Sequence, residues 1–135
     1  MKRLSNKVSR MISRMDLYHG TEEDFDSFSL RYFNRGSGDG GWLGYGIYLT
    51  NDFDYAESYG DVLVCSVNVR NPLVLTDHLY SSRPYKLANK FGARGARELT
   101  FKLKSEGYDS VILTYKDPDR FFEVCVFDPK KVTIK

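Results

Sequence analysis

Apolar residues recur at helical spacing in two stretches of the chain. The first stretch covers residues 1–14 and is interleaved with basic residues, with apolar positions at Leu4, Val8, Met11, Ile12 and Met15. It predicts a short amphipathic helix that docks its apolar face on the domain, with a nucleic-acid or membrane-surface role as the alternative. The second has apolar positions at 96, 99 and 103 and predicts about three helical turns ended by Gly107.

Between these helices, short runs rich in β-branched and aromatic residues predict strands. They cover residues 17–19, 47–50, 62–69, 73–75, 108–114, 121–127 and 132–134. Gly20 and Thr21 are expected to end the first strand, and Asn51 or Asp52 to cap a helical turn after the second. Residues 77–92 show no clear pattern. This combination of short helices and several strands predicts an α+β fold, with the helices packed on a mostly antiparallel sheet.

The chain length and composition fit one folded domain. It has 135 residues, 41% of them hydrophobic, which is enough for one core. We divide it into a basic helix over residues 1–15 and a domain over 16–135. No apolar run approaches the roughly 20 residues that a membrane span requires. No secretory pattern follows the basic start, so we expect a cytoplasmic protein with no membrane partner.

The net charge of +2 argues against a dominant electrostatic attraction to nucleic acid. The first fourteen residues nevertheless hold five basic residues and no acid, so a nucleic-acid partner stays open for that segment. Cys65 and Cys125 both lie in apolar runs and are expected to be buried free thiols. Their number and spacing predict neither a disulfide framework nor a metal site.

A glycine-rich segment precedes the strand at 47–50. Six of the twelve residues from 35 to 46 are glycine, which predicts a flexible loop. Its backbone N–H groups are able to cradle phosphates, and a plain linker is the equal alternative. The segment lacks the Gly-Lys-Ser/Thr ending of a P-loop, so an ATPase is disfavoured.

Three further features point to chemistry. His19 lies beside Gly20 near a strand end, where a ring and an unobstructed backbone are both available. Tyr48 and Tyr59 lie eleven positions apart across a strand-to-helix corner, which is able to bring two rings around one flat ligand. Glu123 is a lone acid in an apolar strand, where an acid without a partner is costly.

These motifs together resemble the ADP-ribosyltransferases of the His-Tyr-Glu type, the branch of diphtheria toxin and the poly(ADP-ribose) polymerases. The similar segments are 18–21, 44–50 with Tyr59 at the usual second-tyrosine offset, and 123–129 running on to 132–134. Segments 71–73 and 107–112 look like those of the compact members found in phage polyvalent proteins and bacterial toxins. The resemblance runs from about residue 16 to the end, and implies a split, mostly antiparallel sheet with short flanking helices.

The resemblance also implies that the protein cleaves NAD and that its catalytic residues are Glu123, His19 and Tyr48. Glu123 would stabilise positive charge on the ribose, and Tyr48 and Tyr59 would enclose the nicotinamide. His19 would bind the adenine-side ribose, and the Gly20 backbone would bind the carboxamide. The implied NAD-binding residues are His19, Gly20, Thr21, Gly46, Tyr48, Ser58 and Tyr59. The loop 36–46 would cover the donor, and no metal is required.

The sequence departs from the polymerase branch between the two tyrosines. There a serine binds the nicotinamide carboxamide, whereas the matching position here is Ala56, with Ser58 nearby. The Gln/Glu-X-Glu pattern of arginine-modifying relatives is absent, because Phe121 stands two residues before Glu123. The loop 115–120 matches the segment that usually meets the acceptor, and Arg120, Phe121 and Phe122 are candidates to line that face.

The main hypothesis is therefore a mono-ADP-ribosyltransferase that modifies a macromolecule, with a host protein as the expected acceptor. An NAD glycohydrolase and a transferase acting on nucleic acid are the alternatives. A GIY-YIG nuclease ranks low, because a strand follows Tyr59-Gly60 where that family needs a helix bearing arginine. A non-catalytic nucleic-acid-binding module is the remaining alternative.

Overall fold

A computed structural model of the protein describes residues 2–22, 28, 42–76, 86–114 and 122–135. The loop 115–120, Phe121 and residues 35–41 of the glycine-rich segment lie outside this part. The helices are α1 (Lys2–Ser13), α2 (Phe53–Glu57), α3 (Lys86–Lys90) and α4 (Ala96–Ser105). The strands are β1 (Leu17–Thr21), β2 (Ile47–Thr50), β3 (Asp61–Val67), β4 (Pro72–Leu75), β5 (Ser110–Thr114), β6 (Phe122–Val126) and β7 (Val132–Ile134), and a 3-10 turn at Pro129–Lys131 precedes β7.

The strands form one sheet in the order β4-β5-β6-β2-β1-β3-β7. Within the described residues, β4 and β5 are the parallel pair and every other neighbouring pair is antiparallel. The predicted α+β class and mostly antiparallel sheet are therefore confirmed. Strand β2 lies at the centre, so the glycine-rich segment leads directly into the middle of the sheet.

One local prediction was wrong, and one stretch without a clear pattern contains a helix. Strand β1 does not end before Gly20, because Gly20 and Thr21 continue its ladder opposite Val62 and Asp61 of β3. The stretch 77–92, which has no clear hydrophobic pattern, contains helix α3. That helix is short, so it offers too few turns for a periodic pattern, yet it buries Leu87 and Ala88.

The two faces of the sheet carry separate hydrophobic clusters. Strand β6 shows the division, since Phe122, Val124 and Val126 belong to the first cluster and Cys125 to the second. Such alternation follows from the two-residue period of a strand. The first cluster also contains α1 residues, whereas the second contains residues of α3 and α4. Helix α1 thus lies on one face of the sheet, and α3 and α4 lie on the other.

Helix α1 packs against the sheet by its apolar face. Val8 and Ile12 are fully buried, and the Ser9 hydroxyl donates to the Val69 carbonyl oxygen at 2.6 Å. The predicted docking is confirmed. Its basic residues Lys7 and Arg10 are exposed. No helix in the described ranges is long and apolar enough to cross a membrane.

Both cysteines are buried and free, as predicted. Burial raises the pKa of the Cys65 thiol from 9.0 to about 12. The thiol therefore stays protonated near neutral pH, and its packing in the first cluster is that of a small apolar side chain.

Candidate active site

An open cleft lies over the middle of the sheet, where β1, β2 and β6 run side by side under α2. Its volume is about 350 Å³ including the mouth. The lining residues are Tyr18, His19, Gly20, Tyr48, Leu49, Thr50, Tyr55, Ala56, Tyr59 and Glu123. This figure includes open solvent, whereas the enclosed space is about 40 Å³, so a ligand bound here would lie partly outside the cleft.

The sheet register brings Glu123 and Tyr48 to the same side of the sheet. Glu123 of β6 pairs with Thr50 of β2, and Tyr48 pairs with Cys125. Directly paired residues of an antiparallel ladder point to the same face, and residues two apart on a strand share that face. The carboxylate and the Tyr48 ring therefore project together into the cleft from neighbouring strands.

Glu123 is half-buried and contacts a tyrosine that the sequence motifs do not include. The Tyr55 hydroxyl donates to Glu123 Oε1 at 3.3 Å. The hydroxyl oxygens of Tyr55 and Tyr59 lie 3.1 Å apart, within hydrogen-bond distance. The two rings meet edge to face, with centroids 5.5 Å apart and an interplanar angle of 81°. Polar contacts thus connect the carboxylate to the ring of Tyr59.

Tyr48 is held by the end of the glycine-rich segment. Its hydroxyl donates to the Gly44 carbonyl at 2.7 Å and accepts from the Leu43 N–H at 2.9 Å. Both contacts involve backbone groups, so the orientation of the ring depends on the path of this loop. A movement of the loop would therefore also move the ring that lines the cleft.

His19 is fixed by a contact with the neighbouring strand. Its Nδ1 lies 2.6 Å from the Tyr48 carbonyl oxygen. A carbonyl oxygen only accepts, so this Nδ1 carries a hydrogen, and in the neutral form of the ring Nε2 would be the acceptor nitrogen. The ring of Phe28 packs edge-on against the imidazole, with centroids 4.9 Å apart. The backbone of one predicted site residue thereby orients the side chain of another.

Gly20 of β1 lies directly against the backbone of Ala56 in α2. A Cβ atom built on Gly20 would lie 1.7 Å from the Ala56 carbonyl oxygen. Ala56 is only 2% exposed, so its small side chain also suits this contact. The position where the polymerase branch has serine is here a packed alanine.

Three of the predicted NAD-binding residues do not line this cleft. Thr21 is buried in the β1 ladder. Gly46 allows close packing, since a Cβ there would lie 2.4 Å from the Val126 carbonyl oxygen. Ser58 is exposed, and its hydroxyl donates to the Tyr55 carbonyl at 2.6 Å. Their assignment to NAD binding stays a prediction.

Tyr55 is a lining residue that the motif reasoning missed, although the sequence contains a signal for it. It stands four positions before Tyr59, and residues four apart share one face of a helix. Once Tyr59 is assigned to the cleft, the same helical face carries Tyr55. Tyr18 was also missed as a lining side chain; its ring packs edge-on against the exposed Phe53, with centroids 5.4 Å apart.

The lining is aromatic, with one carboxylate and one imidazole. Across the ranges that the structure describes, there is no group of three or more His, Cys, Asp or Glu residues that could hold a metal ion. The arrangement suits a flat ligand that stacks on rings and a polar group that the Glu123 carboxylate binds.

The comparisons with known proteins agree with this chemistry. The model of one protein family, described as ADP-ribosyltransferase in polyvalent proteins, matches residues 13–134, which is nearly the whole chain. No curated protein matches the chain.

Proposed function

The chain belongs to the family of ADP-ribosyltransferases in polyvalent proteins, and we propose on this basis that it transfers a single ADP-ribose unit from NAD to a protein acceptor. One observation carries the proposal. The Glu123 carboxylate shares one cleft with the rings of Tyr48 and Tyr59 and with His19. This set provides one acid to stabilise charge and several flat surfaces to hold a leaving group.

The reaction breaks the bond between the nicotinamide nitrogen and C1′ of the ribose. The electron pair leaves with the nicotinamide, which becomes neutral, and positive charge develops on the ribose as in glycoside hydrolysis. An acceptor nucleophile then bonds to C1′ and loses a proton. In this proposal the Glu123 carboxylate lies beside the ribose, where it lowers the energy of the charged transition state.

The aromatic residues would hold the leaving group. The nicotinamide would lie against Tyr48, whose ring is fixed by Gly44 and Leu43, and against Tyr59, whose hydroxyl lies beside that of Tyr55. Rings that are already fixed lose little freedom when the ligand binds, so they orient the scissile bond at small entropic cost.

His19 and Gly20 would bind the remainder of NAD. The His19 ring is held through Nδ1, and in its neutral form Nε2 would accept a hydrogen bond from a hydroxyl of the adenine-side ribose. The backbone of Gly20 would approach the carboxamide. Because Ala56 has no hydroxyl to bind the carboxamide, we expect backbone groups to supply most of its hydrogen bonds.

The nature of the acceptor separates this proposal from its closest alternative. With water as the acceptor the same site would act as an NAD glycohydrolase. The acceptor loop at 115–120 lies outside the described residues, and the acceptor is expected to be a host protein in the cytoplasm. A small domain with so short a loop favours one transfer over chain elongation.

The test is incubation of a host extract with NAD labelled in its adenylate phosphate. We expect label in protein and release of nicotinamide with the wild type. Glu123→Gln keeps the shape of the side chain but removes its charge. We expect this variant to slow both protein labelling and nicotinamide release by about 10²–10³-fold. Glu106→Gln, which changes an exposed acid outside the cleft, serves as the matched control and is expected to resemble the wild type.

Three results would contradict the proposal. Free ADP-ribose with no labelled macromolecule would identify a hydrolase, and label in nucleic acid would identify a different acceptor class. Equal rates for Glu123→Gln and the wild type would remove Glu123 from the mechanism.

A further inference from the structure

Three side chains form a line of polar contacts across the cleft, from Tyr59 through Tyr55 to Glu123. The Tyr55 hydroxyl has one hydrogen, which it donates to Glu123 Oε1. Its contact with Tyr59 must then use a hydrogen from Tyr59, since a hydroxyl donates once and accepts through its lone pairs. The direction of the line is thus set, with both hydrogens pointing towards the carboxylate.

We propose that Tyr55 is a positioning residue, whose hydroxyl orients the Glu123 carboxylate and couples it to the Tyr59 ring. The proposal rests on the proposed transferase function. It adds a residue that the family motifs in this sequence do not contain, at the place where α2 faces β6.

The physical case begins with the freedom of a glutamate. The last torsion of its side chain is broad, so the carboxylate plane is poorly defined unless a hydrogen bond fixes it. Tyr55 supplies one such bond, from a half-buried ring whose backbone is part of a capped helix. Donors fixed before the reaction stabilise charge more effectively than donors that must reorganise.

The coupling to Tyr59 gives the line a second effect. Tyr55 and Tyr59 are held together by their hydroxyls and by the edge-to-face contact of their rings. A ligand that stacks on Tyr59 therefore restrains Tyr55 as well, and through it the carboxylate. The Tyr55–Glu123 distance of 3.3 Å exceeds the usual 2.7–2.8 Å for such a bond, and catalytic hydrogen bonds commonly shorten when substrate binds.

The first test is Tyr55→Phe, which removes the hydroxyl and retains the ring. We expect kcat for NAD cleavage to fall by about 10–100-fold, the effect of losing a hydrogen bond to a charged group. KM for NAD should change by less than about threefold, because the ring packing that shapes the cleft remains. Tyr108→Phe removes a hydroxyl from a ring packed against the second cluster and is the matched control. Unchanged kcat in Tyr55→Phe would overturn the proposal.

A double-mutant cycle distinguishes positioning from a general structural role. If Tyr55 acts through the charge of Glu123, adding Tyr55→Phe to Glu123→Gln should lower the residual activity by less than about twofold. A similar loss in both backgrounds would mean that Tyr55 acts independently of the carboxylate, and would overturn the coupling.

An activity-independent measurement separates this inference from the proposed function. In protein labelled with ¹³C at glutamate carboxyl carbons, Glu123→Gln identifies the Glu123 signal by its loss. We expect Tyr55→Phe to shift that signal, Tyr59→Phe to shift it less, and Tyr108→Phe to leave it in place. A wild type that never cleaves NAD would refute the transferase proposal alone, whereas an unmoved signal in Tyr55→Phe would refute the hydrogen bond itself.

Discussion

At position 20 the sheet and α2 approach so closely that a side chain has no room. The obstacle is the backbone of Ala56. A Cβ atom built at position 20 would lie 1.7 Å from the Ala56 carbonyl oxygen and 3.2 Å from the Cβ atom of Tyr59. A carbonyl within a helix cannot move aside as a flexible side chain can. The glycine of the Tyr-His-Gly-Thr motif is thus required by packing, whatever its backbone does for the ligand.

We expect Gly20→Ala to lower the free energy of unfolding by about 3 kcal/mol, the upper end for an overpacked site, because α2 must move away from β1. Gly95→Ala is the control, since a Cβ there meets nothing within 4 Å. It should cost about 1 kcal/mol or less, the scale of a changed helix N-cap. Urea unfolding followed by circular dichroism gives both values. Equal losses would contradict the packing explanation.

At the scale of elements, α2 supports more of the cleft than its length suggests. It has five residues, too few to be stable as an isolated helix. Asp52 caps it by accepting from the Tyr55 N–H at 3.1 Å, and Asn51 Oδ1 accepts from the Phe122 N–H at 3.0 Å. The first contact holds the start of α2, and the second ties the end of β2 to the residue before Glu123.

Loss of the cap should therefore affect both stability and turnover. Asp52→Ala is expected to cost about 1 kcal/mol of unfolding free energy. It should also speed hydrogen exchange at the α2 amides and lower kcat/KM for NAD, because Tyr55 belongs to this helix. Asp54→Ala changes an exposed acid in the same turn and should have a smaller effect on all three. A larger effect of Asp54→Ala would show that charge, and not the cap, is what matters.

At the scale of the whole molecule, the cleft borders both hydrophobic clusters. Leu49 of the first cluster lines the cleft, and Phe28 of that cluster packs against His19. The first cluster, with α1, Leu17 and Cys65, lies under one face and contains only apolar side chains. The second cluster includes Cys125, and Tyr48 of the cleft packs against it, whereas Cys65 is not among the residues that line the cleft. Titration of Cys65 should accordingly alter folding without touching the site.

The raised pKa of Cys65 predicts how stability changes in alkaline solution. The unfolded thiol loses its proton near pH 9.0, whereas the folded thiol keeps it until about pH 12. Between these values the unfolded state binds fewer protons, so this group's contribution to stability is complete below pH 9 and is lost as the pH rises. The slope for one such group approaches about 1.4 kcal/mol per pH unit.

Other groups also titrate in alkaline solution, so the contribution of Cys65 is measured as the difference between the wild type and Cys65→Ala. We expect the unfolding free energy of the wild type to fall more steeply from pH 9 to 11 than that of Cys65→Ala. Parallel curves for the two proteins would mean that burial does not raise the thiol pKa.

Much of the fold is predictable because it depends on local pattern. Strands β2 and β7 have the predicted bounds, 47–50 and 132–134, since runs of apolar and β-branched residues with turn residues beside them determine a short strand. Helix α4 begins at the predicted Ala96 and is followed by Gly107, which has a positive φ of 95°. The end of β1 was wrong because glycine usually breaks a strand, whereas here pairing with β3 continues it.

The sequence alone determined the α+β class, the seven strands of the described sheet, the burial of both cysteines and the motifs that indicate the family. These follow from periodicity and residue type, which act over a few neighbouring positions. Only the tertiary structure decided that Tyr55 enters the cleft beside Glu123 and that Ser58 stays outside it. That outcome depends on how α2 packs against β1, β2 and β3, which is set by contacts such as Gly20 with Ala56 between residues far apart in the chain.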